Sequence, residues 1–145
     1  MDEKDEFSLQ EFLPYLLNQA AEESSLAFQQ IYKSRYGMLR TEWRVLFHLG
    51  MYGQMTAKDI GKRAKIHKTK VSRAVQKLAD RRYLTRTRDR TDRRSEKLQL
   101  TAAGDAAYKE LRQVALEYDR ELTRMFDDSQ NQLLRKMLRV LARMD

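Results

Sequence analysis

The stretch Ile66-His-Lys-Thr-Lys-Val-Ser-Arg-Ala-Val-Gln-Lys-Leu-Ala-Asp80, followed by Tyr83-Leu-Thr-Arg-Thr-Arg88 and Glu96-Lys-Leu-Gln-Leu100, changes its period partway along. Val71, Ala74, Val75 and Leu78 recur at helical spacing and predict a helix over 67–81. Residues 83–88 are rich in Thr and Tyr, and 96–100 alternate with Leu98 and Leu100 on one side, so both predict strands. Between them lies the polar turn Asp89-Arg-Thr-Asp-Arg-Arg-Ser95. A basic helix followed by a hairpin with an arginine-rich tip is the feature that orders the rest of the chain.

Upstream, residues 56–64 predict a short helix, with Thr56 and Asp59 as a capping box and Ile60 and Ala64 on one face. Residues 40–51 predict another, with Trp43, Leu46, Phe47 and Met51 on its apolar side and Tyr52-Gly53-Gln54 ending it. Residues 9–33 carry a stripe of Leu9, Phe12, Leu13, Leu16, Leu17 and Ala20, with Ser8 and Glu11 spaced as a capping box. Pro14 requires either a kink there or a start later than Ser8. Downstream, Thr101 caps a fifth helix running to about Phe126, with the stripe Ala107, Leu111, Val114, Ala115, Tyr118, Leu122 and Met125. Ser129 and Gln132 predict the box that opens a sixth helix bearing Leu133, Leu134, Met137, Leu138, Leu141 and Met144.

The fold class is therefore mainly α with a small β component (α+β). It reads as a winged helix-turn-helix over 37–101, with N- and C-terminal helices over 1–36 and 102–145 as a dimerisation region. The first, fifth and sixth helices each carry an apolar stripe that a small basic module cannot bury. The same helices of a second chain would cover them. A two-fold homodimer would also set two reading helices about one DNA turn apart.

Charge places the interface. Of the 145 residues, 55–100 hold 16 basic and 5 acidic side chains, net +11, whereas 1–54 are net −3 and 101–145 are neutral. A charge run is ordinarily a solvated surface. A field focused on a helix and a hairpin instead attracts a polyanion such as double-stranded DNA by displacing counterions from phosphates. On a helical wheel, Thr69, Arg73 and Gln76 lie opposite the apolar stripe, with Ser72 at the edge and Lys70 and Lys77 flanking. Arginine matches guanine O6 and N7, glutamine matches adenine, hydroxyls meet bases or phosphates, and the lysines serve phosphates. At the hairpin tip, Arg90, Arg93 and Arg94 are candidates for the narrow minor groove. We expect one groove reader, one structural ion pair and one phosphate or solvent contact among the three. Asp89 and Asp92 would structure the wing, through turn hydrogen bonds or by holding an arginine.

Other chemistries find little support. There is no cysteine, so no disulfide, thiolate nucleophile or thiol redox sensor. His48 and His67 sit on different predicted helices, poor material for a metal site. Glu22-Glu23 and Asp127-Asp128 are sequence neighbours, which do not share a helix face and read as solvated or capping groups. No cofactor and no enzyme activity are expected. No membrane partner is expected either, because no run approaches the ~18 apolar residues of a span. The acidic start, unlike a secretory signal, reads as cytoplasmic.

Lys70-Val-Ser-Arg73, Asp89-Arg-Thr-Asp-Arg-Arg94 and Leu100-Thr-Ala-Ala-Gly104 together resemble the MarR (multiple antibiotic resistance regulator) family, whose wing reads Asp-x-x-Asp-Arg-Arg before a strand and Leu-Thr-x-x-Gly. Trp43-Arg-Val-Leu46 sits at that family's spacing, and the likeness runs over nearly the whole chain. The resemblance implies a homodimer on a pseudo-palindromic operator, usually a repressor. In many members a small aromatic or anionic effector enters a cleft between the dimer helices and the winged module and releases the DNA. It maps the reading helix onto Thr69, Lys70, Ser72, Arg73 and Gln76, and the wing onto Asp89, Asp92, Arg93 and Arg94. His67 and Lys70 depart from the family's usual small cap and neutral residue, which bears on the operator sequence rather than the fold. Tyr15, Tyr36, Trp43, Phe47, His48 and Tyr108 are candidates for a cleft, although packing accounts for each singly. An architectural DNA binder without an effector would present the same basic block. It would show a steep salt dependence and little sequence discrimination.

Overall fold

The computed structural model describes residues 6–88, 90–92 and 95–144. They form six helices and three strands: α1 (Leu13–Tyr36), α2 (Arg40–Tyr52), β1 (Met55–Thr56), α3 (Ala57–Ala64), α4 (Lys68–Asp80), β2 (Leu84–Arg88), β3 (Glu96–Leu100), α5 (Ala102–Leu122) and α6 (Asp128–Leu141). The backbone divides into two compact units, 1–112 and 113–145, with the boundary inside α5.

The first unit is a helix-turn-helix built on a three-stranded antiparallel sheet of order β1-β3-β2. The hairpin register pairs Leu84 with Leu100, Arg86 with Leu98 and Arg88 with Glu96. Because side chains alternate across a strand, these six residues share one face and Thr85, Thr87, Lys97 and Gln99 share the other. Leu84 and Leu98 on the first face are buried with Val45, Leu46 and Leu49 of α2, Ile60 of α3, and Val71, Val75 and Leu78 of α4. This core fixes α4 against the β2–β3 hairpin.

Several local expectations need correction. Of the two readings that Pro14 allows over 9–33, the later start holds: Leu9–Glu11 form a 3-10 turn, and α1 begins at Leu13 with Pro14 in its first turn, where a missing N–H costs nothing. Ser8 makes no side-chain cap. The box opening α6 is Asp127 with Gln130, whose side chains take each other's backbone N–H at 2.8 and 3.0 Å, rather than Ser129 with Gln132. The fifth helix stops at Leu122, short of Phe126. The buried stripe of α2 is Val45, Leu46 and Leu49; Met51 is exposed and Trp43 and Phe47 are half-buried. Strand β1 was not legible, because two residues are too few to show a period.

Gly104 explains the Leu-Thr-x-x-Gly segment. A Cβ there would collide with the Tyr83 carbonyl oxygen, so only glycine lets α5 start this close to β2. Thr101 locks the junction. Its hydroxyl donates to the Arg82 carbonyl at 2.6 Å and accepts the Gly104 N–H at 3.1 Å.

In the second unit, Arg135 of α6 pairs with Asp119 of α5 through two contacts, 3.2 and 2.9 Å. No residue of α6 is buried. Leu133, Met137, Leu138, Val140 and Leu141 are all exposed.

Candidate nucleic-acid interface

Helix α4 is launched by a tight turn. Lys65 takes the left-handed conformation at φ 56° and closes α3, and Ile66 is buried as an anchor. His67 then caps α4, its Nδ1 accepting the Thr69 N–H at 3.2 Å. The imidazole thus does the work of the usual short polar cap. Val71, Ala74, Val75 and Leu78 turn inward, and Thr69, Lys70, Ser72, Arg73, Gln76 and Lys77 are all exposed, as the wheel predicted. Arg73 makes no hydrogen bond or ion pair with the described residues, so its five donors are available to a ligand. Beside it, Lys58, Lys62 and Lys68 ring a groove of about 650 Å³ between α3 and α4.

Gln76 is the exception on this face. Its amide donates to Asp80 Oδ1 at 2.7 Å and accepts from Arg86 of β2 at 2.7 Å. Arg86 also grips Glu96 of β3 at 2.7 Å. In the wing, Arg90 is exposed and the Asp92 carbonyl accepts the Ser95 N–H at 3.1 Å, closing the turn. Asp89, Arg93 and Arg94 lie outside the described residues.

Four further cations hold the module together and were not singled out in the sequence. Arg81 donates to the Tyr36 and Gly37 carbonyls at 2.9 and 2.7 Å, placing a charge at the C-terminus of α1. Arg44 donates to the Ala64 carbonyl at the end of α3, and burial pushes its pKa down. Arg63 lies 3.6 Å over the Tyr52 ring. Arg35 pairs with Glu110, which also accepts the Tyr36 hydroxyl. Burial first, and that bond second, push the Tyr36 phenol up to about 12. The same phenol and Arg35 hold the Glu110 carboxyl below its ordinary range. One signal was available in the sequence: basic residues at 35, 63 and 81 fall in or just beyond the last turns of predicted helices.

Four of the cleft candidates, Tyr36, Trp43, Phe47 and Tyr108, are engaged in ring packing. Trp43, Phe47 and Tyr108 stack edge to face with one another or with Phe28, at centroid distances of 5.1–5.3 Å. His48 Nδ1 lies 2.6 Å from the Arg44 carbonyl, so that nitrogen carries the proton. Among the described residues, no cluster of three or more metal-binding side chains occurs, and no helix is long and apolar enough to cross a membrane.

Comparison with known proteins agrees with this geometry. Residues 36–95, from the end of α1 through the wing, match the model of the MarR family. An uncharacterized HTH-type transcriptional regulator, YwoH of Bacillus subtilis, is 26% identical over 105 residues, covering 72% of this chain and 76% of that protein. The structure of Bordetella bronchiseptica BpsR, solved to explain regulation of its DNA binding by 6-hydroxynicotinic acid, superposes with a TM-score of 0.86. It is 22% identical, over 96% of this chain and 99% of BpsR. A point mutant of E. coli MarR complexed with operator DNA superposes with a TM-score of 0.81 at 18% identity, over 93% of this chain and 98% of that one. At such identities these two structures speak to the fold. The family match reaches from the end of α1 through α4 and β2 to Ser95, and over these residues the chain is similar to the MarR family of winged-helix transcriptional regulators.

Proposed function

We propose that this regulator is a homodimeric repressor that reads a pseudo-palindromic operator. Helix α4 lies in the major groove and the 89–95 wing reaches the adjacent minor groove. Arg73 reads a guanine, Thr69 and Ser72 contact bases or phosphates, and Lys70 and Lys77 neutralise phosphates. Arg90, Arg93 and Arg94 supply the minor-groove contact, with Asp89 and Asp92 shaping the turn. The observation that carries this reading is the exposed face of α4. There Arg73, with no partner among the described residues, stands among lysines on a helix whose opposite face is locked into the core.

Residues 37–101 form the DNA-binding domain in this proposal, and 1–36 with 102–145 form the dimerisation region. The exposed apolar residues of the N-terminal segment, Leu9, Phe12, Leu13 and Leu16, and those of α6 support it. Such side chains are ordinarily covered in a stable protein. As in BpsR, a small aromatic ligand is proposed to regulate DNA binding, and an anionic one would serve equally.

The test is a footprint on the DNA flanking the chain's own gene, with the affinity compared on random DNA across a salt series. Protection of a two-fold site, bound at least ~10³-fold more tightly than random sequence, is expected. Equal affinity for both with a steep salt slope would instead mark an architectural binder.

A further inference from the structure

We propose that Gln76 is a positioning residue, which bolts wing strand β2 to the reading helix through Arg86 so that helix and wing meet the duplex as one body. This rests on the DNA-reading role of α4 set out above.

Four side chains form the bolt. Asp80, one turn beyond Gln76 on α4, accepts from the Gln76 amide nitrogen at 2.7 Å. The Gln76 amide oxygen accepts from Arg86 at 2.7 Å, and Glu96 takes the remaining edge of that guanidinium at 2.7 Å. The partners fix the amide's orientation: arginine can only donate and an ionised aspartate can only accept. Hairpin register explains why Arg86 is the residue that reaches α4. It shares a sheet face with buried Leu84 and Leu98, the face turned to the core that α4 helps to form.

A glutamine reading adenine offers its oxygen to N6 and its nitrogen to N7. In Gln76 one N–H and one lone pair are already committed, the lone pair to a charged donor, and together they fix the plane of the amide. Releasing it would leave Arg86 and Asp80 each short of a partner and free the hairpin to swing. The orientation of this residue is therefore set within the protein, and its effect on DNA is exerted through the wing.

The experiment is a double-mutant cycle on the full chain with Gln76→Leu, Arg86→Met and the pair combined. Binding is measured on the footprinted operator and on operators with each base pair replaced. Hydrogen exchange over 84–88 and 96–100 is measured without DNA. Each single variant should weaken operator binding by about tenfold, with the double variant no weaker than either. Discrimination at the major-groove positions should survive, and exchange in the hairpin should rise in both. Losses that multiply, or a base preference erased by Gln76→Leu but kept by Arg86→Met, would make Gln76 a reader and overturn the proposal. If the unmutated protein selects no operator, the DNA reading fails by itself. The exchange measurement then still decides the bolt: unchanged hairpin exchange in Gln76→Leu, which alters only a helix surface, refutes it.

Discussion

Replacing Gly104 with alanine should, on helix propensity alone, stabilise α5 by about 0.5–1 kcal/mol. The structure reverses that sign. The added methyl would overlap the Tyr83 carbonyl oxygen, a backbone atom that already accepts the Thr101 N–H at 3.1 Å. Nor can the helix simply retreat, because the Thr101 hydroxyl is held between the Arg82 carbonyl and the Gly104 N–H. Backbone shifts forced by one extra carbon cost about 1–3 kcal/mol. Pulling Thr101 off its cap adds about 1 kcal/mol. Against the propensity gain, the net loss is roughly 1–3 kcal/mol. Urea unfolding followed by the fluorescence of Trp43 reads it directly. That side chain is the only tryptophan and sits edge-on to Phe28 and Phe47. Protein concentration must be fixed, because the proposed dimer would make stability depend on it. A lower midpoint at unchanged slope is expected. A midpoint equal to or above that of the unmutated chain would refute the steric argument, because it would mean that the Tyr83 carbonyl yields freely.

Arg81→Ala removes two bonds to the carbonyls ending α1 and should destabilise by about 1–2 kcal/mol, read as a Tm shift with faster amide exchange around Gly37. Tyr36 should titrate near pH 12 by phenolate absorbance, and Glu110→Gln should bring it down. Because its folded pKa lies above the unfolded 10.0, its contribution to stability is complete below pH 10 and lost as pH rises through about 12. Glu110 has the opposite sign. Its depressed folded pKa gives stability that is present above its unfolded value and lost on acidification through the folded one. Arg73→Ala should cost about 1–3 kcal/mol of operator binding and relax one base pair, whereas Lys77→Ala should weaken all sequences and flatten the salt slope; identical behaviour on specific and random DNA would void the role assignment. In the proposed homodimer, Leu138→Asp should yield a monomer in sedimentation, since a carboxylate would enter its apolar seam.

Periodicity disclosed most of this fold because the decisive elements are long and one-sided. The inward set of α4 is the four residues its 3.6-residue repeat names, and both wing strands fall within a residue of where alternation puts them. What stayed hidden has physical reasons. A capping motif satisfied in spelling competes with neighbours satisfied equally well: Asp127 outdoes Ser129 because its box closes earlier in the chain. Ser8 fails because the chain there prefers a 3-10 turn ahead of Pro14. Long-range polar partners have no period at all. The wheel put Gln76 on the outer face correctly, yet nothing in its spacing discloses that Arg86, ten residues on, reaches back from β2 to hold it.

That point bears on the charge. A net of +11 over 55–100 reads in sequence as a single field aimed at DNA. In the folded module some of its cations are already engaged. Arg63 covers an aromatic ring, Arg81 sits on a helix terminus, and Arg86 is shared between a glutamine and a carboxylate. Each has a local partner to lose before it can displace a counterion. Binding that depends on counterion release counts phosphates neutralised, with a log–log salt slope of about −0.9 for each. In the proposed function the weight of nonspecific affinity would therefore fall on side chains such as Lys70 and Lys77, which have no such partner among the described residues, and the arginines that orient the module would contribute through geometry. In that proposal, orientation and attraction belong to different residues of one basic segment. This is why removing an arginine such as Arg86 should alter where the wing lands more than how strongly salt competes.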